Sequence, residues 1–111
     1  ALAINTLDQI QQYLDGVAGR ANHHAPNVTD VALTLAGAVL WRTTEDIEVR
    51  TYNGNMANLL WFHVGPTRYV LAYNPGTQEI ELRERSQEGN TIATFTNATA
   101  ASEVRRVFSS L

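Results

Sequence analysis

His63 is the residue of this 111-residue chain that comes nearest to a catalytic group. An imidazole acting as a general base needs a carboxylate that orients it and a nucleophile or water within hydrogen-bonding reach. Arg68 is expected directly opposite His63 on a neighbouring strand, and Glu79 or Glu81 on the next strand could supply a carboxylate. A single strand histidine is more often a surface hydrogen-bonding residue, and no nucleophile motif accompanies this one. The sequence therefore predicts no catalytic residue.

The adjacent pair His23-His24 invites a metal interpretation that its spacing does not support. Consecutive side chains diverge, so the two rings cannot easily share one ion, and no His-x-x-x-His spacing is present. We interpret the pair as part of a polar segment between helices. The chain also lacks cysteine and lysine, which excludes disulfides, thiolate metal sites, Schiff-base chemistry and a P-loop. No metal ion and no cofactor are predicted.

Composition indicates one soluble globular domain that spans residues 1–111. Hydrophobic residues make up 44% and charged residues 17%, unlike the composition of disordered chains. The net charge of −3 argues against a nucleic-acid partner, because phosphate binding needs a basic surface. No stretch of about 18 apolar residues is present to cross a membrane, and the first residues lack the basic flank of a signal peptide. A cytoplasmic location is expected.

The elements that would position His63 are marked by turn signals between Ile47 and Phe95. These signals are Asn53-Gly54, Gly65-Pro66, Asn74-Pro75-Gly76-Thr77 and Glu88-Gly89-Asn90. Each lies between short runs rich in β-branched, leucine and aromatic residues, which is the pattern of strands joined by hairpins. The spacing predicts an antiparallel meander of about five strands.

Two segments near the ends of the chain have the apolar periodicity of amphipathic helices. The first is predicted to start at a capping box, Thr6 with Gln9, and to end near Asn22. The last follows Asn97 or Thr99, either of which could cap its first turn.

A third segment, beginning about Val28, is ambiguous. Its apolar residues recur at helical spacing as far as Gly37, and Asn27 is a plausible cap, so a helix is favoured there. Residues 31–41 also alternate as a strand would. The remainder of the segment either extends the helix or starts an edge strand.

Two helices before the meander and one after it predict an α+β fold, with the antiparallel sheet covered by helices on one face. Loop lengths set which residues face each other across the hairpins. The Gly65-Pro66 turn places Phe62 opposite Tyr69, and the next turn is expected to place Tyr69 opposite Leu82. The residues predicted to face the helices are Ile47, Leu60, Phe62, Tyr69, Leu71, Tyr73, Ile80, Leu82 and Phe95.

The opposite face of the predicted sheet is apolar at its centre and charged at its margin. Its residues are Leu59, Trp61, His63, Arg68, Val70, Ala72, Glu79, Glu81 and Arg83. A water-facing sheet face normally alternates cleanly to polar residues, whereas an apolar centre with an Arg and Glu rim is typical of an interface. We therefore expect a non-enzymatic interaction protein that forms a homodimer or binds a protein partner through this face. The alternative is an ordinary surface on which long charged side chains fold over Trp61.

Two other functions remain open. In a small-ligand binder or weak enzyme, aromatic rings could line a pocket between the helices and the sheet. The candidate pocket residues are Tyr13, Trp41, Tyr69 and Tyr73. An inhibitor or immunity-type protein would instead bind a basic partner through acidic residues of one strand and its turn. These acidic residues are Glu79, Glu81, Glu84 and Glu88.

Overall fold

Three helices and a six-stranded sheet make up the structure, which is a computed structural model. It describes residues 2–24, 26–52, 55–86 and 88–111, with the side chains of residues 3–17, 27–50, 59–86 and 88–111. In chain order the elements are β1 (Leu2–Ile4), α1 (Leu7–His24), a 3-10 turn (Pro26–Val28), α2 (Thr29–Arg42), β2 (Ile47–Tyr52), β3 (Asn55–Val64), β4 (Thr67–Asn74), β5 (Glu79–Glu84), β6 (Thr91–Phe95) and α3 (Ala101–Ser109).

The strands form one antiparallel sheet in the order β1-β2-β3-β4-β5-β6. This confirms the predicted α+β fold with a meander between the second and third helices. The sheet has six strands rather than about five, because β1 pairs with residues 47–49 of β2 at one edge. Three residues carry too little alternation to predict a strand, so only the pairing with β2 defines β1. The predicted Asn53-Gly54 turn lies outside the described residues.

The start of α1 has the predicted capping interaction. The backbone N–H of Gln9 donates to the Thr6 hydroxyl oxygen at 3.3 Å. The Gln9 side-chain oxygen accepts a hydrogen bond from the Asn5 backbone N–H at 3.1 Å, one residue earlier than in a standard capping box. These bonds satisfy N–H groups that have no partner inside the helix. The helix continues to His24, slightly beyond the predicted end near Asn22.

The second half of the ambiguous segment extends α2 rather than starting a strand. The predicted cap at Asn27 is wrong, because its side-chain amide donates to the Gln78 backbone carbonyl instead. The side-chain oxygen of Asn97 accepts hydrogen bonds from the backbone N–H groups of Asp30 and Val31, at 2.9 and 3.0 Å. A residue distant in sequence therefore caps this helix.

The predicted caps of α3 are also wrong. The residue before α3 is Ala100, which makes no side-chain capping hydrogen bond. Asn97 serves α2, and the Thr99 hydroxyl accepts a hydrogen bond from the Thr96 backbone N–H at 3.0 Å. The Glu103 backbone N–H donates to the Ala100 carbonyl at 3.0 Å. A backbone carbonyl, and not a side chain, is therefore the acceptor for this N–H group of the first turn.

The register between β3 and β4 follows the prediction, with Phe62 opposite Tyr69. The turn that joins them has Gly65 at φ 61°, a left-handed conformation that glycine adopts without steric cost. The predicted register between β4 and β5 is wrong by two residues, since Tyr69 lies opposite Glu84 and not Leu82.

The turn between β4 and β5 explains this shift. Asn74 pairs with Glu79, so the loop is longer than a two-residue hairpin. The Gln78 N–H donates to the Asn74 carbonyl at 2.8 Å, and Gln78 rather than a glycine takes the left-handed backbone, at φ 59°. Side chains alternate between sheet faces with a period of two, so a two-residue shift leaves each side chain on its predicted face.

The core lies between the helices and one face of the sheet. The sheet residues buried in it are Ile4, Ile47, Val49, Leu60, Phe62, Tyr69, Leu71, Leu82 and Phe95. At its centre the Phe62 ring stacks on those of Tyr69 and Phe108, with centroid distances of 5.6 and 5.8 Å. The ring centroid of Phe95 lies 6.3 Å from that of Phe108. Aromatic contacts therefore join the middle of the sheet directly to α3.

The helices form a layer in which α2 lies between α1 and α3 and packs against both. The Arg42 guanidinium, at the end of α2, donates to the Leu111 carbonyl at 3.1 Å and so connects α2 to the segment after α3. Among the described helices, none combines the length and the apolar character needed to cross a membrane.

Candidate functional site

The sheet face turned away from the helices, here called the outer face, is formed by the residues predicted to share it. They are Leu59, Trp61, His63, Arg68, Val70, Ala72, Glu79, Glu81 and Arg83. Trp61 lies opposite Val70, which in turn lies opposite Arg83 on β5. The predicted pair of His63 with Arg68 is also present. Strand alternation therefore assembles this surface from β3, β4 and β5.

The apolar centre of the outer face is mostly covered within the chain itself. Val70 is 0% exposed and Leu59 is 4% exposed, although neither belongs to the core cluster between the helices and the sheet. Trp61 and Ala72 are half-buried. The surface available to another molecule is therefore made by Trp61 and the charged residues around it, with the aliphatic side chains beneath them.

An arginine lies over the exposed part of Trp61. The Arg68 guanidinium carbon is 5.3 Å from the centroid of the indole ring, which is the geometry of a cation–π contact. Arg68 itself is exposed, and no carboxylate lies within ion-pair distance of it among the described side chains. The pair presents a flat, polarisable surface with a guanidinium that can donate hydrogen bonds to a carboxylate of another molecule.

The β5 side of the outer face is held by an ion pair. Arg83 donates to one carboxylate oxygen of Glu81 at 2.9 and 3.2 Å and to the Gly89 carbonyl at 2.9 Å. The Asn74 amide donates to the other carboxylate oxygen at 3.4 Å. The hydrogen bond from Arg83 is the main reason that the pKa of Glu81 is lowered, while desolvation partly opposes it. Glu81 is therefore a fixed carboxylate at neutral pH.

His63 contacts a carboxylate that the sequence did not indicate. Its Nδ1 lies 3.4 Å from an oxygen of Glu45, in the loop after α2, and not beside Glu79 or Glu81. Nδ1 is buried and makes no well-directed hydrogen bond, while the Glu45 side chain is 64% exposed. The imidazole and the carboxylate are therefore close to each other without a hydrogen bond between them. The Thr44 hydroxyl, which donates to the His63 carbonyl at 3.1 Å, anchors the same loop to β3.

The structure does not bring the candidate pocket residues together. Tyr69 and Tyr13 are buried in the core, and Tyr73 packs against its edge. Trp41 points away from the sheet and is 56% exposed. Burial raises the pKa of Tyr13 far above its usual value, which keeps this phenol neutral. Between the helices and the sheet, the Phe62 ring stacks on the Phe108 ring with the centroids 5.8 Å apart.

The acidic residues predicted to form one stripe are divided between two faces. Glu79 and Glu81 alternate with the core residues Ile80 and Leu82 and so belong to the outer face. Glu84 lies opposite Tyr69 and shares the helix-covered face. The His23-His24 pair falls where the side chains are outside the described residues. Among the described side chains, no group of three or more His, Asp and Glu residues is placed to hold a metal ion.

Sequence reasoning missed one exposed apolar surface, on α2. Leu33 and Trp41 are 45% and 56% exposed, and both point away from the core. Their residue types indicated burial, because α2 is apolar on most of its circumference. An amphipathic surface helix would have polar residues at these positions. The apolar character of α2 on most sides was therefore the sequence signal that could have revealed this exposed surface.

One comparison with known proteins identifies a family. A model of the family described as "Integron cassette protein VCH_CASS1 chain" matches residues 10–105, which is most of the chain. The match includes α2, all five strands of the meander and the greater part of α3. No curated protein matches significantly. The chain therefore belongs to the integron cassette protein family of the VCH_CASS1 type.

Proposed function

We propose that this protein is a non-enzymatic interaction protein that self-associates through the outer face of its sheet. The observation that carries the proposal is the Arg68 guanidinium lying 5.3 Å from the Trp61 ring centroid on an open sheet face. Tryptophan and arginine are the residue types that most often dominate the binding energy of protein interfaces. Here the two are already ordered against each other, so little side-chain entropy would be lost on binding.

The covered aliphatic residues support this pair rather than contact the partner. Val70 and Leu59 are buried beneath the outer face and form a firm base for Trp61. The contact surface is therefore smaller and more polar than an exposed apolar sheet would provide. Such a surface is typical of a reversible association rather than of an obligate dimer.

Charges of both signs on the outer face favour a second copy as the partner. Arg68 lacks a carboxylate partner among the described side chains, while Glu48 lies exposed beside Trp61 on β2. A two-fold contact presents the same patch from both subunits, so Arg68 of each can meet Glu48 of the other. The ion pair of Glu81 with Arg83 would remain within each subunit at the rim.

The test is the mass of the assembled protein after Trp61→Arg, measured by size-exclusion chromatography with light scattering. The substitution places a second positive charge beside Arg68, and we expect it to halve the number of subunits while the far-ultraviolet circular dichroism stays unchanged. Leu7→Arg is the matched control, since it adds the same charge at an apolar residue that is 68% exposed at the start of α1. It should leave the mass unchanged.

Two outcomes would overturn the proposal. One is a wild-type protein that stays monomeric at the highest concentration that can be reached. The other is a folded Trp61→Arg protein with the same mass as the wild type.

A further inference from the structure

A second apolar surface lies on the opposite side of the molecule, in the middle of the helical layer. It consists of Leu33, Gly37 and Trp41, which we call the α2 patch. Successive members are four residues apart, so they lie along one side of the helix over a length of about 12 Å. Leu33 and Trp41 are 45% and 56% exposed, and space is open above Gly37. Two of the four large apolar side chains that are exposed in the described part of the chain therefore lie on one side of α2.

The shape of the α2 patch suits another helix. A Cβ built on Gly37 would meet no atom within 4 Å, so the backbone at the centre of the patch can be approached closely. The larger side chains of Leu33 and Trp41 stand on either side of this low point. The Arg42 guanidinium lies 5.6 Å from the Trp41 ring centroid, within the range of a cation–π contact. The patch is therefore a shallow groove at Gly37 with an apolar side chain at each end.

The two helices that flank the patch carry complementary charges. Exposed ionisable residues of α1 include Asp8 and Asp15, both acidic. On α3, Glu103 is paired with Arg106, which leaves Arg105 exposed and without an ion pair among the described side chains. Asp15 and Arg105 each lie near the middle of their helix. Among the described side chains, the α1 flank of the patch therefore carries two carboxylates and the α3 flank carries an arginine without an ion pair.

We propose that the α2 patch is a contact surface for a second copy of this chain, with the two-fold axis running along α2. This axis places α2 against α2 and brings α1 of each subunit opposite α3 of the other. A two-fold axis parallel to α2 keeps each residue at the same height, so Leu33 and Trp41 pack against the same residues of the partner on either side of Gly37, and Asp15 of each copy faces Arg105 of the other. Because the axis repeats every contact, the complementary flanks meet twice. This surface is independent of the outer face of the sheet.

Sedimentation velocity over a concentration series tests the proposal with Leu33→Asp, Trp61→Arg and the double variant. Leu33→Asp introduces a charge into the groove, and we expect the dissociation constant of this contact to rise at least about tenfold. Leu7→Asp adds the same charge at an exposed leucine outside the patch and should change nothing. If both surfaces act, each single variant retains one association step and the double variant is monomeric.

The series separates this inference from the proposed function. If only the α2 patch acts, Leu33→Asp alone gives a monomer and Trp61→Arg has no effect. If only the outer face acts, a folded Leu33→Asp protein sediments like the wild type, which overturns the inference. A Trp61→Arg protein that is monomeric at every concentration also overturns it.

Charge reversal tests the direction of the axis. Asp15→Arg and Arg105→Asp should each weaken the association several-fold, and the two together should restore it, because the pair is re-formed with opposite signs. If the double variant is weaker than either single one, the axis along α2 is wrong.

Discussion

At the scale of single residues, the outer face is organised by arginines that have different partners. Arg83 is fixed by Glu81 and by a backbone carbonyl, whereas Arg68 lies on Trp61 with its guanidinium available. A guanidinium offers several hydrogen-bond donors in one plane. Arg83 uses its donors within the chain, whereas the donors of Arg68 are available to a carboxylate of another molecule. The sequence contains both arginines, but only the register shows which of them has a carboxylate nearby.

The pair of Glu81 and Arg83 predicts a specific dependence of stability on pH. Because the folded state lowers the pKa of Glu81 from its usual 4.5, the ionised carboxylate stabilises the fold above that pH. The contribution is lost as the pH falls through the lowered pKa. Glu81→Gln should remove this contribution to the decrease in the free energy of unfolding at acid pH, which is at most about 1 kcal/mol. Urea unfolding at neutral pH and below pH 4 measures the decrease.

Glu79→Gln is the control for this prediction. Glu79 lies on the same strand and the same face, but no guanidinium contacts it among the described side chains. In this variant the free energy of unfolding should decrease at acid pH as much as it does in the wild type. Equal pH dependence in Glu81→Gln and the wild type would contradict the assigned role of the pair.

At the scale of elements, contacts distant in sequence determine where the helices begin. The start of α1 is local, since Thr6 and Gln9 supply its capping bonds. The start of α2 depends on Asn97, which lies after the last strand. The Asn97 backbone N–H also donates to the Asn27 carbonyl at 3.0 Å. The segment between β6 and α3 therefore fastens the beginning of α2 to the end of the sheet.

Asn97→Ala should destabilise the protein by about 1 kcal/mol, within the range measured for loss of a capping side chain. The Asp30 and Val31 N–H groups would lose their acceptor. Thermal or urea unfolding followed by circular dichroism measures the change. Asn97→Asp is the conservative control, because it keeps an acceptor and places a negative charge at a helix start. If both variants lose the same stability, the oxygen atom is not acting as a cap.

At the scale of the whole molecule, the aromatic contact of Phe62 with Phe108 joins the two layers. Phe62 is 0% exposed, lies in the middle of β3 and stacks on a ring of α3. The helical layer is thus attached at the centre of the sheet, while both outer surfaces stay open. One carries the Trp61 and Arg68 pair, and the other carries the α2 patch. If both surfaces make the proposed contacts, the molecule can form assemblies larger than a dimer.

Phe62→Ala should cost about 3–5 kcal/mol, because it leaves a cavity where two aromatic contacts are lost. Since this is a large part of the stability of a small domain, the smaller truncation Phe62→Leu gives a second measurement with a lower expected loss. Leu7→Ala, at a residue that is 68% exposed, should change stability by less than about 0.5 kcal/mol. Urea unfolding at one protein concentration compares them. A loss in Phe62→Ala no larger than in Leu7→Ala would contradict the central role of this ring.

The sequence by itself determined the α+β class, the order of the meander and the division of β3, β4 and β5 between a core face and an outer face. The physical reason is that turns are local and that strand side chains alternate with a period of two. The predicted register of β4 with β5 was wrong by two residues, yet the division between core and outer face was unaffected.

Tertiary structure decided the features that depend on chain segments meeting across a distance. These include β1 as a sixth strand, Asn97 as the cap of α2 and Glu45 as the neighbour of His63. The exposure of Trp41 is another such feature. The sequence shows that this side chain is apolar, but it does not show which neighbouring element, if any, covers it. Packing settles that choice, and here it left part of α2 uncovered.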